Sequence, residues 1–143
     1  KSTVVHKDPL VLALPEDNPL AKRTSVSFGA LAGLPLVIYS SGPRPNLMDV
    51  VFALCKEEGF QPQIAQEVVD SVTAIAMVAA GFGASLVPRS AAHLQLPGVV
   101  YRKLRGAPPP SIELHCIHRQ DDTSPLVAQF IETMTSSPPS APR

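Results

Sequence analysis

The chain has 143 residues, of which 45% are hydrophobic and 17% charged, a composition that folds and is long enough for one moderate core or two small lobes. Its twelve basic and twelve acidic side chains cancel. That balance argues against this chain alone gripping a phosphate backbone, which needs a basic face.

In chain order, Leu10 to Leu14 is an apolar run closed by Pro15 and reads as a buried strand. Glu16 to Leu20 is a polar turn. Ser27 is placed to cap a short helix through Leu31, which Gly33-Leu34-Pro35 ends. Leu36 to Tyr39 is a second apolar strand, stopped by Ser40, Ser41, Gly42 and Pro43. A helix follows, with Leu47, Val50, Val51 and Leu54 at the spacing of one face, and Gly59 ends it. Gln63 to Glu67 is a short strand. Asp70 or Ser71 caps the next helix, where Val72, Ile75, Ala76 and Ala79 share a face.

Ala84 to Val87 reads as another buried strand, and Pro88 suits the first turn of a helix to about Leu94. Val99 to Leu104 is a strand, Gly106 to Pro110 a stiff link, and Ser111 to Arg119 an alternating strand. Ser124-Pro125 opens a final helix with Val127, Ile131 and Met134 on one side. The tail from Ser136 has the Ser, Pro and Ala content of a disordered segment. Strands alternating with helices predict an α/β fold with a mostly parallel sheet. Ligands of such sheets bind outside the carboxyl ends of the strands. The helix starts near Asn46 and Ser71 should both open there, towards one side of the sheet.

Helix starts carry backbone amides without partners and a partial positive charge, so they suit a carboxylate. Ser40, Ser41 and Asn46 add polar groups and Arg44 a cation. The simpler reading of the same stretch is a strand-to-helix turn capped by Ser41 or Asn46. Catalytic patterns are weak. Gly83-Ala84-Ser85 lacks the glycine of a nucleophile elbow, and Gly81-Phe82-Gly83 is no dinucleotide loop. His115 and His118 point to opposite faces of a strand and cannot share a metal there. No enzyme activity, cofactor or metal is expected. Cys55 and Cys116 are expected as free thiols in a reducing compartment. No apolar run reaches the ~18 residues of a membrane span, and Lys1 to Leu20 shows no signal-peptide pattern.

Several segments together resemble the effector-binding part of LysR-type transcriptional regulators. They are Pro9 to Ala21, Leu31-Ala32-Gly33-Leu34-Pro35, and Glu67 to Pro88, above all Met77-Val78-Ala79-Ala80-Gly81-Phe82-Gly83-Ala84-Ser85-Leu86-Val87-Pro88. Tyr39 to Leu47 is similar to the muconate- and benzoate-responsive branch of that family, which controls aromatic catabolism. The resemblance implies a type 2 periplasmic-binding-protein-like fold of two Rossmann-like lobes. It assigns 8–105 to a complete effector lobe, 1–7 and 106–135 to an incomplete second lobe, and 136–143 to a disordered tail.

The resemblance further implies that Ser40, Ser41, Pro45, Asn46 and Leu47 line the effector cleft, with Arg44 and Ser71 beside them. The effector would be a small carboxylate or aromatic acid. DNA would be bound only through a helix-turn-helix that this sequence lacks, so the chain is expected to be a fragment. A cytoplasmic homo-oligomer, dimer or tetramer, and no membrane partner complete the expectation. The alternatives are a periplasmic solute-binding protein of similar fold or a small enzyme on the same architecture.

Overall fold

The computed structural model describes residues 1–136 apart from Ser41, residues 43–45 and Ala107. By compactness the chain divides into two units, Lys1–Asp8 with Ser111 onward, and Pro9–Pro110.

The larger unit is built on strand β1 (Ser2–Pro15), whose second half alternates strictly. Leu10, Leu12 and Leu14 point to one face and Val11 and Ala13 to the other, and all five are buried. Both faces are therefore covered by apolar layers. β1 pairs antiparallel with β5 (Ser85–Pro88), Leu12 opposite Leu86. It also pairs antiparallel with β6 (Val99–Leu104), Ala13 opposite Tyr101. A two-residue strand β2 (Ser25–Val26) adds to β6 in parallel. Strands β3 (Pro35–Tyr39) and β4 (Gln63–Val68) form a parallel pair with a register shift between Leu36 and Val37.

One parallel bridge, Leu36 to Ala84, ties that pair to the strand residues at β5. Val37 N–H donates to the Ala84 carbonyl at 2.7 Å and Ala84 N–H to the Pro35 carbonyl at 2.9 Å. Gly83 makes the approach feasible. Its φ is +149°, and a Cβ there would lie 2.4 Å from the Pro35 oxygen.

The helices cover opposite faces. α2 (Ser71–Ala79) buries Ala74, Ile75 and Val78 against Val37, Tyr39, Val11, Ala13 and Val87. α1 (Leu47–Glu57) sets Met48 and Val51 against Leu36, Ile38 and Leu86 on the other face. That seam encloses only about 10 Å³, room for one water at most. In the smaller unit, β7 (Ser111–Ile117) pairs with β1, and α3 (Pro125–Ser136) follows. Val127, Ile131 and Met134 are its half-buried face, as the periodicity predicts.

The α/β class stands, but the sheet is mixed and not mostly parallel. Only β2–β6 and β3–β4 pair in parallel as whole strands, and β1 runs antiparallel to both β5 and β6. Its run is also longer than the apolar core Leu10 to Leu14, because Ser2 to Asp8 extends it. Pro88 ends β5, and the following turn is a 3-10 segment, Arg89–His93, instead of an α-helix. Ser27 precedes a 3-10 turn, Phe28–Leu31, without making a side-chain cap bond. In α1 the buried face is Met48, Val51 and Cys55, rotated from the expected Leu47, Val50, Val51 and Leu54. In α2, Val72, Ala76 and Ala79 are exposed. Ser136 closes α3 instead of starting a disordered tail, and the rest of that tail lies outside the described residues.

Gly33 also has positive φ, +76°, but nothing lies within 4 Å of its would-be Cβ. Gly83→Ala should therefore cost more than Gly33→Ala, about 3 kcal/mol against about 1 kcal/mol. Urea denaturation of both variants checks this. Equal midpoints would show that the Pro35 approach is not a constraint.

Candidate functional site

The site expected from sequence lies at the carboxyl edge of β3 and β4, within the larger unit. Two helices start there because each follows one of these parallel strands. Asn46 has extended backbone (φ −130°) and caps α1. Its Oδ1 accepts from Met48 N–H at 3.1 Å, and Asp49 Oδ2 accepts from Asn46 N–H at 2.9 Å. This reciprocal pair is a capping box. Asp70, also extended, caps α2 by accepting from Thr73 N–H at 2.7 Å. That bond holds the Asp70 carboxyl below the ordinary carboxylate range.

The helices leave this edge on opposite faces, contrary to the expectation of one side. That removes the picture of two helix starts sharing one side of the sheet, and a crevice here rests instead on the two connections diverging. Connections that leave neighbouring strand ends on opposite faces are what open a cleft at the carboxyl edge of a sheet. Leu47 marks the shared edge: it begins α1 yet packs against the cluster that α2 covers.

Ser40, at the end of β3, is half-buried, and its Oγ donates to Glu67 Oε1 at 3.1 Å. This bond joins the ends of the two strands. Asn46, Leu47 and Ser71 are half-buried at the two helix starts. Ser41, Arg44 and Pro45 lie outside the described residues. Two carboxylates, Asp49 and Glu67, were not among the expected site residues. Asp49 follows Asn46 by three, the spacing of a capping box, and that signal was readable. Glu67 becomes visible only once the register sets it opposite Ile38, on the α1 face.

A second concavity, lined by Phe52, Lys56, Phe60, Pro62 and Ile64, lies beside the exposed strand β4. In the smaller unit, Ser2 Oγ meets His115 Nδ1 at 2.9 Å, and His115 Nε2 meets Glu113 at 3.2 Å. This has the order of a nucleophile, base and acid. However, Lys7 Nζ pairs with Glu113 at 2.8 Å, and the residues are exposed, so the chain of bonds clasps β1 to β7 in water. The Lys7 hydrogen bond keeps the Glu113 carboxyl low. Cys55 and Cys116 are both free. Cys55 is buried, which pushes its thiol up and away from reactivity. Among the described residues no group of three His, Cys, Asp or Glu is placed to hold a metal ion. None of the helices among the described residues is long and apolar enough to cross a membrane.

Because Asp70 is held low by the Thr73 amide, its contribution to stability is complete above the ordinary value of 3.8 and is lost as pH falls below it. Asp70→Asn should lower the urea midpoint near neutral pH, and the gap from wild type should close in acid. A gap that is the same at about pH 6 and about pH 3 would contradict the cap.

Comparison with known proteins fits this geometry. Residues 1–138 match the family described as the LysR substrate binding domain. The chain is 36% identical over 130 residues to the HTH-type transcriptional regulator CatR of Pseudomonas putida, covering 90% of this chain and 44% of CatR. Full-length CbnR complexed with its target DNA superposes with TM-score 0.83 at 26% identity, over 95% of this chain and 47% of that one. The BenM effector binding domain with its effector benzoate shares the fold, with TM-score 0.78 at 24% identity, over 100% of this chain and 68% of that one. The chain spans less than half the length of the curated relatives it matches, and these are named as transcriptional regulators, not enzymes. The chain belongs to the LysR substrate binding domain family, whose effector-binding members share the type 2 periplasmic-binding-protein-like α/β fold.

Proposed function

We propose that this chain is the effector-sensing part of a LysR-type transcriptional regulator, and that it binds a small carboxylate or aromatic acid at the carboxyl edge of β3 and β4. The observation that carries the reading is the pair of helix starts on opposite faces of one strand edge. Ser40, Asn46, Leu47 and Ser71 are assigned to that cleft, and the family resemblance assigns Ser41, Arg44 and Pro45 to it as well. The muconate- and benzoate-responsive branch is the proposed subfamily. Its support is the identity with CatR and the fold shared with benzoate-bound BenM.

The capping carboxylates refine the chemistry. Asp49 and Asp70 already take amides from the two helix starts, so an incoming acid depends on the remaining N–H groups and on hydroxyl and amide side chains. Ligand binding would favour one arrangement of the domain and shift the population towards it. Coupling to DNA-binding domains elsewhere in the protein would make it a regulator, acting in the cytoplasm as a homo-oligomer. The layout of an effector lobe over 8–105, with 1–7 and 106–135 in a second lobe, belongs to the same proposal.

Calorimetry with benzoate tests the site. Asn46→Asp keeps an N-cap oxygen but replaces the amide with a negative charge, so it should preserve the thermal midpoint and weaken binding about tenfold or more. Ser40→Ala should weaken binding by about threefold. Unchanged affinity in both variants would remove the site assignment.

A further inference from the structure

Resting on the effector-cleft reading above, we infer that Glu67 is a built-in competitor of the effector: its carboxylate holds the Ser40 hydroxyl and yields it to the carboxylate of an incoming acid.

Ser40 has one proton to give. It follows directly on β3, and its Oγ donates to Glu67 Oε1 at 3.1 Å. An ionised carboxylate accepts hydrogen bonds and donates none. The hydroxyl can therefore serve Glu67 or the carboxylate of an effector in full, but not both. A carboxylate of the chain itself thus sits within hydrogen-bond reach of Ser40 Oγ, where an effector carboxylate bound by Ser40 would have to sit.

Glu67 is also placed to yield. It is exposed, so water can take over its hydrogen bonding when it leaves. Its backbone is held separately. Glu67 pairs with Ile38, and the parallel ladder continues through Tyr39 and Val68. The exchange therefore needs a rotation of one side chain and leaves the two strands paired. An acid arriving at Ser40 brings a like charge to within a few ångströms of Glu67, which drives the rotation.

The hydroxyl is worth to an acid only what remains after its bond to Glu67 is given up. That is why the loss expected for Ser40→Ala is modest. The contest concerns one carboxylate at one hydroxyl, so it applies alike to acids with one carboxylate or two.

The test is a double-mutant cycle by calorimetry on the full-length regulator, with benzoate and muconate as probes. Glu67→Ala should tighten binding about fivefold, by freeing the hydroxyl and removing a nearby charge. With Ser40→Ala also present there is no hydroxyl to free, so Glu67→Ala should then tighten binding by less than about twofold, through charge alone. High salt should erase that remainder and preserve the difference between the two backgrounds. Equal gains from Glu67→Ala in both backgrounds, with acid bound, would overturn the competition and leave the cleft assignment intact. Binding of neither acid by any of the four proteins would overturn the cleft assignment, and the competition with it.

Discussion

The structure depends on the close approach of Gly83 to Pro35. Two backbone hydrogen bonds, Val37 to Ala84 and Ala84 to Pro35, join the β3–β4 pair to the rest of the larger unit. They form because no side chain intervenes at Gly83. With the pair fixed there, Leu36 and Ile38 face α1 while Val37 and Tyr39 face α2. The same alternation that buries both faces therefore sends the two helices to opposite sides. The proposed cleft at the carboxyl edge rests on that packing.

The local chemistry of the edge is less permissive than bare helix starts suggest. Both helices bring their own carboxylate to their first turn, Asp49 through a capping box and Asp70 as the cap itself. Caps of this kind stabilise the helices they open. They also reduce what is left to attract an anion. Glu67 adds a third negative charge, fixed by Ser40.

Much of this was legible in the residues. The buried run Leu10 to Leu14 and the half-buried stripe of α3 follow from spacing alone, and spacing narrowed the caps to Ser41 or Asn46 and to Asp70 or Ser71, of which the structure shows Asn46 and Asp70. Strand direction was not legible. An apolar run reads the same both ways, and only pairing shows β1 antiparallel to its neighbours. The buried face of α1 was ambiguous because Leu47, Met48, Val50, Val51, Phe52, Leu54 and Cys55 are all apolar. Two overlapping helical stripes fit that sequence, and contact with Leu36, Ile38 and Leu86 selects the one through Met48 and Val51. β2 is two residues long, too short to leave a pattern. Glu67 comes beside Ser40 through register, a long-range property that no local window contains.

The central claim is that an acid is sensed where β3 and β4 end and two helices begin. Amide chemical-shift mapping during a benzoate titration tests it most directly. The account expects the largest shifts at Ser40, Leu47, Glu67 and Ser71, with little change at Phe52 to Ile64 or along α3. Shifts concentrated in the Phe52, Phe60 and Ile64 concavity, or in the smaller unit alone, would contradict it.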